Sequence, residues 1–174
     1  MTSIIKVDQI QNAAGVGGFS IDSNGVVTKG VLPAWRLCLS ATATFTTSGG
    51  QGNPVLWDKT SGDNCYIQGG CSLDTSTGQV TVPVSGVYQI NFSTRYDDVG
   101  SGYIITRIER NSNESGSSET YVIDGSPDGS YLSLTGSECF KLDANDTIRI
   151  TVMASSDTGW DIQSNSSFSG ALIG

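Results

Sequence analysis

Residues 142–153 read LDANDTIRITVM and carry the clearest β-strand signal of the chain. Ile148, Ile150 and Val152 alternate with polar residues, which is typical of a strand with one buried and one solvated face. The Asp-Ala-Asn-Asp run before them predicts a tight turn, because Asn and Asp tolerate left-handed backbone and hydrogen-bond their own main chain. The segment therefore predicts a turn that leads into a half-buried strand.

A second apolar run follows in residues 167–174, SFSGALIG. The stretch from Phe168 to Ile173 is too short to cross a bilayer and too apolar for a frayed tail. It is predicted to lie inside a sheet.

The composition favours an all-β protein. The 174 residues suit one domain with a short extension, and only 15% of them are charged. Glycine and small polar residues are abundant, which is typical of short strands joined by turns. No helix of normal length is predicted.

The net charge of −8 argues against nucleic acid as a partner, because the nine Lys and Arg are scattered and phosphate binding needs a clustered basic face. No stretch is long and apolar enough to insert into a membrane. The first residues lack the basic start and apolar core of a secretory signal, so we expect synthesis in a cytoplasm.

A third segment, residues 73–88, reads LDTSTGQVTVPVSGVY and is followed by Ile90 and Phe92 on one strand face. Taken in chain order, 73–88, 142–153 and 167–174, the three segments resemble the globular head of complement component one, subcomponent q, whose relatives include the tumour-necrosis-factor-like trimeric jelly rolls. The resemblance covers roughly Leu32 to Gly174. Leu73 and Ala171 stand where the family has aromatic residues, and Trp35 or Trp160 is expected to fill the missing volume.

This resemblance implies an antiparallel jelly-roll sandwich that forms a homotrimer and binds a ligand without catalysis. Most aromatic residues of the predicted strands are expected in the core or along the trimer axis, including Tyr103, Tyr121, Tyr131 and Phe140. The candidates for the trimer core are Tyr88, Phe92 and Phe168.

The N-terminal segment, residues 1–31, differs from the predicted head, residues 32–174. Asn24-Gly25 lies between alternating apolar residues, which predicts a β-hairpin. The opening residues resemble the start of tail-fibre and other appendage proteins of bacterial viruses, particularly those of cyanobacteria, which implies a virion anchor. The alternative is a disordered leader. The anchor candidates are Ile4, Ile5, Val7 and Ile10.

Counting antiparallel strands predicts which loops share the tip of the head: segments 46–70, 96–102, 124–129 and 155–165, with the turn 143–146 at the base. Trp57, Tyr96 and Trp160 lie in predicted loops, either as rings that stack on sugars or as partly buried loop anchors. With these rings, the receptor-binding candidates include four aspartates: Asp97, Asp98, Asp124 and Asp128.

The sequence gives little indication of an enzyme, because it contains no histidine, the most common general base. Asp97 and Asp98 are adjacent on a strand and point to opposite faces, so they cannot flank one glycosidic bond. No cofactor is predicted. Calcium remains an alternative, because some family members bind it near the tip and oxygen ligands suit it. Its candidate ligands are Asp97, Asp98, Asp124, Asp128 and Asp157.

The four cysteines, Cys38, Cys65, Cys71 and Cys139, fit no zinc spacing. Cys65 and Cys71 could close a small loop. Reduced, buried thiols are the favoured state in a protein assembled in a reducing cytoplasm.

These observations predict a non-enzymatic, homotrimeric appendage of a virion, a tail fibre or spike, assembled in the host cytoplasm. Its head is expected to bind a host surface receptor, most simply a glycan. The alternative is a structural head fibre or capsid decoration protein that binds other virion proteins through the N-terminal segment. A depolymerase is disfavoured by the missing histidines, and a cellular complement-like module by the absence of a collagen-like stalk.

Overall fold

The computed structural model describes residues 9–11, 17–21, 23–45, 52–62, 64–97, 103–111, 120–125, 131–155 and 159–174, with backbone alone at 9–11, 17–20, 27–29 and 120–125. Within these ranges all regular structure is β-strand, and no helix suitable for crossing a membrane occurs. The chain divides into two compact units, Met1–Leu32 and Pro33–Gly174.

The first unit contains a three-stranded antiparallel sheet of β1 (Gln9–Gln11), β2 (Gly17–Ile21) and β3 (Val27–Lys29). Ile21 pairs with Val27, and Gly25 between them has a φ of 79°, which glycine adopts without steric cost. The predicted hairpin is confirmed. Ile10 lies in β1, whereas Ile4, Ile5 and Val7 fall outside the described residues, so their anchoring role stays a prediction.

The second unit is a sandwich of two antiparallel sheets. Its strands in chain order are β4 (Ala34–Cys38), β5 (Ala43–Phe45), β6 (Asn53–Pro54), β7 (Tyr66–Gln68), β8 (Ser72–Asp74), β9 (Gln79–Thr81), β10 (Gly86–Asp97), β11 (Ile104–Arg110), β12 (Thr120–Gly125), β13 (Tyr131–Leu142), β14 (Thr147–Ala154), β15 (Trp160–Ile162) and β16 (Ser167–Leu172).

The β10 sheet has the order β5-β15-β10-β16-β4-β7, with β13 on the other edge of β10. The β14 sheet has the order β12-β11-β14-β9-β8, with β6 also paired to β14. This is an antiparallel jelly roll, so the predicted fold class is confirmed. The strand expected from Thr147 is β14, and the last apolar run is β16, which lies between β4 and β10 as a buried strand should.

The pairing of residues between strands shows which strand ends lie at the same end of the sandwich. Asp97 pairs with both Tyr131 and Asp161, while Ile104 pairs with Gly125 and Ala154. Because only six residues separate Asp97 from Ile104, these positions share one end of the sandwich, here called the Asp97 end. The turn that precedes Thr147 lies at the opposite end, the Thr147 end, as strand counting predicted.

The segment 46–70 differs from its prediction as a tip loop. It contains β6 and β7, and Gln68 of β7 pairs with Ala34 at the start of β4. Since β4 ends near Ser167 and the Asp97 end, β7 carries the chain back toward the Thr147 end. A short strand hidden among turn residues gives little periodic signal, which explains the error.

The core lies between the inner faces of the two sheets. Along β10, Tyr88, Ile90, Phe92, Thr94 and Tyr96 all point inward and are buried. The Trp35 ring lies 6.3 Å from the Tyr88 ring and 5.6 Å from the Phe168 ring, measured between centroids.

The assignment of Tyr88, Phe92 and Phe168 to a trimer core is therefore wrong. At most 3% of each residue is exposed, because each fills the interior of a single chain. A contact with another copy must use other side chains, which lie on the surface of the unit.

The missing aromatic at Ala171 leaves no gap in the core. Gly170 is buried directly against the Trp35 ring, whereas Ala171 lies on the outer face of the β10 sheet. Leu73 is partly buried and packs against the core cluster. Trp35 fills the space beside Gly170. Because Ala171 lies on the outer face, no core volume is missing there, so the prediction that Trp35 or Trp160 compensates for Ala171 is wrong.

Candidate functional site

The three loop aromatics proposed to stack on sugars are fully buried. Trp57, Tyr96 and Trp160 each have 0% exposure. The Trp160 ring stacks on Phe45 with centroids 4.6 Å apart, and the Trp57 ring lies 6.0 Å from Phe168. These rings cannot contact a ligand, so the binding prediction for them is wrong, and buried anchoring is their role.

Tyr96 also has a polar reason to stay inside. Its hydroxyl shares a hydrogen bond with the Thr106 hydroxyl, which in turn lies 3.2 Å from Thr94 Oγ1. Burial raises the pKa of Tyr96 to about 12, although the bonds to Thr106 and Thr94 act in the opposite direction. The phenol is therefore a neutral part of the core.

The aspartate candidates are only partly described. Asp97 ends β10 and is half-buried, and Asp124 lies in β12, where only the backbone is described. Asp98, Asp128 and Asp157 fall outside the described ranges. Within those ranges no group of three carboxylates or thiols forms a metal-ligand set. The calcium alternative therefore stays a prediction.

The outer face of the β10 sheet presents a row of functional groups at the Asp97 end. Tyr131, Asp97, Asp161 and Thr44 lie opposite one another on β13, β10, β15 and β5. Tyr131 is 60% exposed, which makes its ring the most accessible among the described aromatic side chains. An exposed ring at a sheet edge offers an apolar face to a ligand.

A second row of side chains, from Arg95, Gln163 and Thr42, lies next to the first row and contacts it. The guanidinium carbon of Arg95 lies 4.6 Å from the centroid of the Tyr131 ring, within cation–π range. Gln163 Nε2 donates to Asp97 Oδ2 at 3.4 Å, and the Thr42 hydroxyl donates to Gln163 Oε1 at 3.5 Å. We name the set Tyr131, Arg95, Asp97, Asp161 and Gln163 the rim patch.

The rim patch combines an exposed ring with a cation, two carboxylates and an amide. Hydroxyl-rich ligands are held by such polar groups, while their C–H faces stack on aromatic rings. The geometry suits reversible binding of a polar ligand on an open surface.

Sequence reasoning found Asp97 but placed Tyr131 in the core or at the trimer axis. Since Tyr96 faces inward, alternation alone puts Arg95 and Asp97 on the outer face. The pairing of Asp97 with Tyr131 depends on which strand neighbours β10, and no local pattern carries that information.

The remainder of the same outer face changes character toward the Thr147 end. Cys139 Sγ donates to Gln89 Oε1 at 3.1 Å, Gln89 Nε2 donates to Ser137 Oγ at 2.7 Å, and Ser137 Oγ donates to Asn91 Oδ1 at 2.8 Å. Beyond this amide and hydroxyl ladder, Val87 is 37% exposed and Ile173 is 58% exposed. The Ile173 N–H donates to the Val87 carbonyl at 2.8 Å, so Ile173, directly after β16, lies next to Val87 of β10.

Comparison with known proteins agrees with the jelly-roll fold. The family described as C1q domain matches residues 39–173, a range that runs from before β5 to after β16 and includes the rim patch. No curated protein matches the chain. C1q domains are typically trimeric binding modules and are generally non-catalytic. Because the match spans well over half of the sequence, the chain belongs to the C1q domain family.

Proposed function

We propose that this protein is a non-enzymatic, homotrimeric binding head on a viral appendage, and that its rim patch contacts a receptor on the host surface. The main support for receptor binding is the Tyr131 ring, which is 60% exposed and lies beside Arg95 and Asp97 at one end of the sandwich. Membership in the C1q domain family supports trimerisation and binding. The virion context is supported by the resemblance of the opening residues to appendage proteins.

A surface glycan is the receptor class that fits best. The ring, carboxylates and amide of the rim patch match the C–H faces and hydroxyls of a sugar. One such open surface binds weakly, because it buries little of the ligand. Three identical patches in a trimer would gain avidity on a repetitive host polysaccharide.

The proposed contact between copies is the part of the outer face of the β10 sheet that runs from the amide and hydroxyl ladder to the Thr147 end, so that the rim patch at the Asp97 end stays accessible. This contact places the exposed Val87 and Ile173 at the Thr147 end and the amide and hydroxyl ladder above them. The apolar side chains favour association of the copies, and the polar groups fix how the copies align.

The direct test is adsorption competition. Purified protein is incubated with candidate host cells, and the virus that still attaches is counted. We expect the protein to block adsorption of the virus. The Tyr131→Ala variant should need at least a tenfold higher protein concentration for the same block. Tyr66→Ala is the matched control, because Tyr66 is also exposed, at 43%, but lies on β7 away from the rim patch.

Sedimentation of each variant separates the two parts of the proposal. A Tyr131→Ala protein that stays trimeric and loses the block supports the rim patch. A trimer that blocks adsorption equally well with and without the Tyr131 ring would refute it as the binding site.

A structural role is the second candidate, a head fibre or capsid decoration protein that binds virion components through residues 1–31. The separate three-stranded sheet of Met1–Leu32 favours it. Removal of residues 1–31 distinguishes the two functions. Receptor binding should survive the deletion, whereas incorporation into virions should be lost.

A further inference from the structure

Two of the four cysteines lie side by side. Cys38 ends β4, Cys65 directly precedes β7, and their Sγ atoms are 2.7 Å apart. The paired strands hold this arrangement in place, since Arg36 of β4 lies opposite Tyr66 of β7. Both cysteines are thiols in the structure.

The backbone around each thiol is fixed by hydrogen bonds. The Cys38 N–H donates to the Lys59 carbonyl at 3.2 Å, and the Lys59 N–H donates back to the Cys38 carbonyl at 3.1 Å. The Cys65 N–H donates to the Gly62 carbonyl at 2.7 Å. Since a disulfide has an S–S distance of about 2.0 Å, the sulfurs need to approach by less than about 1 Å.

We propose that Cys38 and Cys65 are a redox-active pair that closes into an intrachain disulfide by exchange with a small disulfide such as oxidised glutathione. The Cys38 thiolate attacks one sulfur of the reagent and releases one glutathione thiolate. Cys65 loses its proton, attacks Cys38 Sγ of the mixed disulfide and releases the second glutathione. The protein is oxidised by two electrons, the reagent is reduced to two thiols, and the two protons end on them.

Accessibility sets the order of the two steps. Cys38 is partly exposed, whereas Cys65 is only 5% exposed, so an outside reagent reaches Cys38 first. Burial, reinforced by the contact with Cys38, raises the pKa of the Cys65 thiol to about 11, while Lys59 and Arg36 act to lower it. A protonated, sheltered thiol suits the resolving role.

The bond would clamp the segment between β4 and β7. This segment carries Val55 and Trp57, both with 0% exposure. Closing a loop of this length restricts the unfolded chain, so the oxidised protein should melt on the order of 10 °C higher than the reduced protein. The pairing differs from the Cys65–Cys71 loop considered from the sequence.

The test uses the full chain carrying Cys71→Ala and Cys139→Ala, which keeps only the proposed pair. It is equilibrated with oxidised or reduced glutathione, alkylated, and mapped by mass spectrometry. We expect both thiols to disappear in oxidised glutathione, with a Cys38–Cys65 peptide two hydrogens lighter and a raised Tm. Adding Cys38→Ser gives the matched control, whose Tm should not respond.

Mapping of the unsubstituted chain provides a check that does not depend on any variant folding. Four outcomes would overturn the proposal: both thiols alkylated after oxidation, a stable mixed disulfide with glutathione, a bond between two chains on a non-reducing gel, or an unchanged Tm. The bond would give the protein a stability that rises when it moves from a reducing to an oxidising medium.

Discussion

The absence of a side chain at Gly170 makes room for the Trp35 ring in the core. A Cβ at this position would collide with the Cζ2 and Cη2 atoms of Trp35, whose ring is fully buried. We expect Gly170→Ala to lower the free energy of unfolding by about 3 kcal/mol, because the rigid ring cannot move without disturbing Tyr88 and Phe168. Urea denaturation measures the loss.

Gly174→Ala is the control for that substitution, because no atom lies within 4 Å of its added Cβ. It should leave the unfolding midpoint unchanged. Equal midpoints for the two variants would show that the close packing of Trp35 on Gly170 has been overestimated.

Asp146 organises the turn before β14. It accepts hydrogen bonds from Arg110 Nη2 at 2.6 Å, from Asn111 Nδ2 at 2.8 Å and from the Asp143 N–H at 2.8 Å. Burial acts to raise the pKa of Asp146, but these bonds and the Arg110 charge together hold it below its ordinary value of 3.8. At neutral pH, Asp146→Ala should cost about 2 kcal/mol of stability.

The pH dependence of this loss has a defined sign. A lowered folded-state pKa stabilises the protein above the unfolded-state pKa, and the stabilisation is lost as the pH falls through the folded value. The difference between wild type and Asp146→Ala should therefore shrink below about pH 4. Asp143→Ala, with a 74% exposed side chain 3.8 Å from Arg110, is the control and should change little.

At the scale of elements, a buried ion pair joins β11 to β14. Glu109 accepts hydrogen bonds from Arg149 Nε at 3.0 Å and from Thr151 Oγ1 at 2.9 Å, and its side chain is only 8% exposed. Glu109→Ala leaves the Arg149 charge without this carboxylate, so it should cost about 3 kcal/mol. Thermal unfolding of the variant tests this value.

The double variant Glu109→Leu with Arg149→Met checks the explanation. An apolar pair of similar volume removes both charges, so it should be more stable than Glu109→Ala. A double variant at least as unstable as the single one would assign the loss to packing instead of to an uncompensated charge.

At the scale of the whole molecule, the expected assembly has three times the mass of one 18.2 kDa chain. Val87→Asp places a charge on the proposed contact and should yield monomers in sedimentation. Leu56→Asp is the matched control, because Leu56 is 46% exposed and follows β6, which pairs with the β14 sheet. Cys139 on the outer face should alkylate slowly in the wild type and quickly in the Val87→Asp variant.

The strands and turns whose signals are local could be predicted from the amino-acid sequence. Alternation identified β14, the Asp-Ala-Asn-Asp run identified its turn, and the family motifs identified the jelly roll. The same alternation puts Arg95 and Asp97 on the face opposite Tyr96, but the sequence placed Tyr96 in a loop, and the structure corrects this. These features follow from the two-residue repeat of a strand and from turn residues that act within four positions.

Contacts between residues distant in the sequence became known from the three-dimensional fold. It buried Trp57 and Trp160 although both lie among turn residues, brought Tyr131 to Asp97 across β10 and β13, and placed Cys38 beside Cys65. Loop-like composition does not reveal whether a large ring fills a space between sheets, because that space is built by strands from the whole chain. Side-chain direction is a local property of the backbone, whereas burial and partnership depend on strand order, which long-range packing decides.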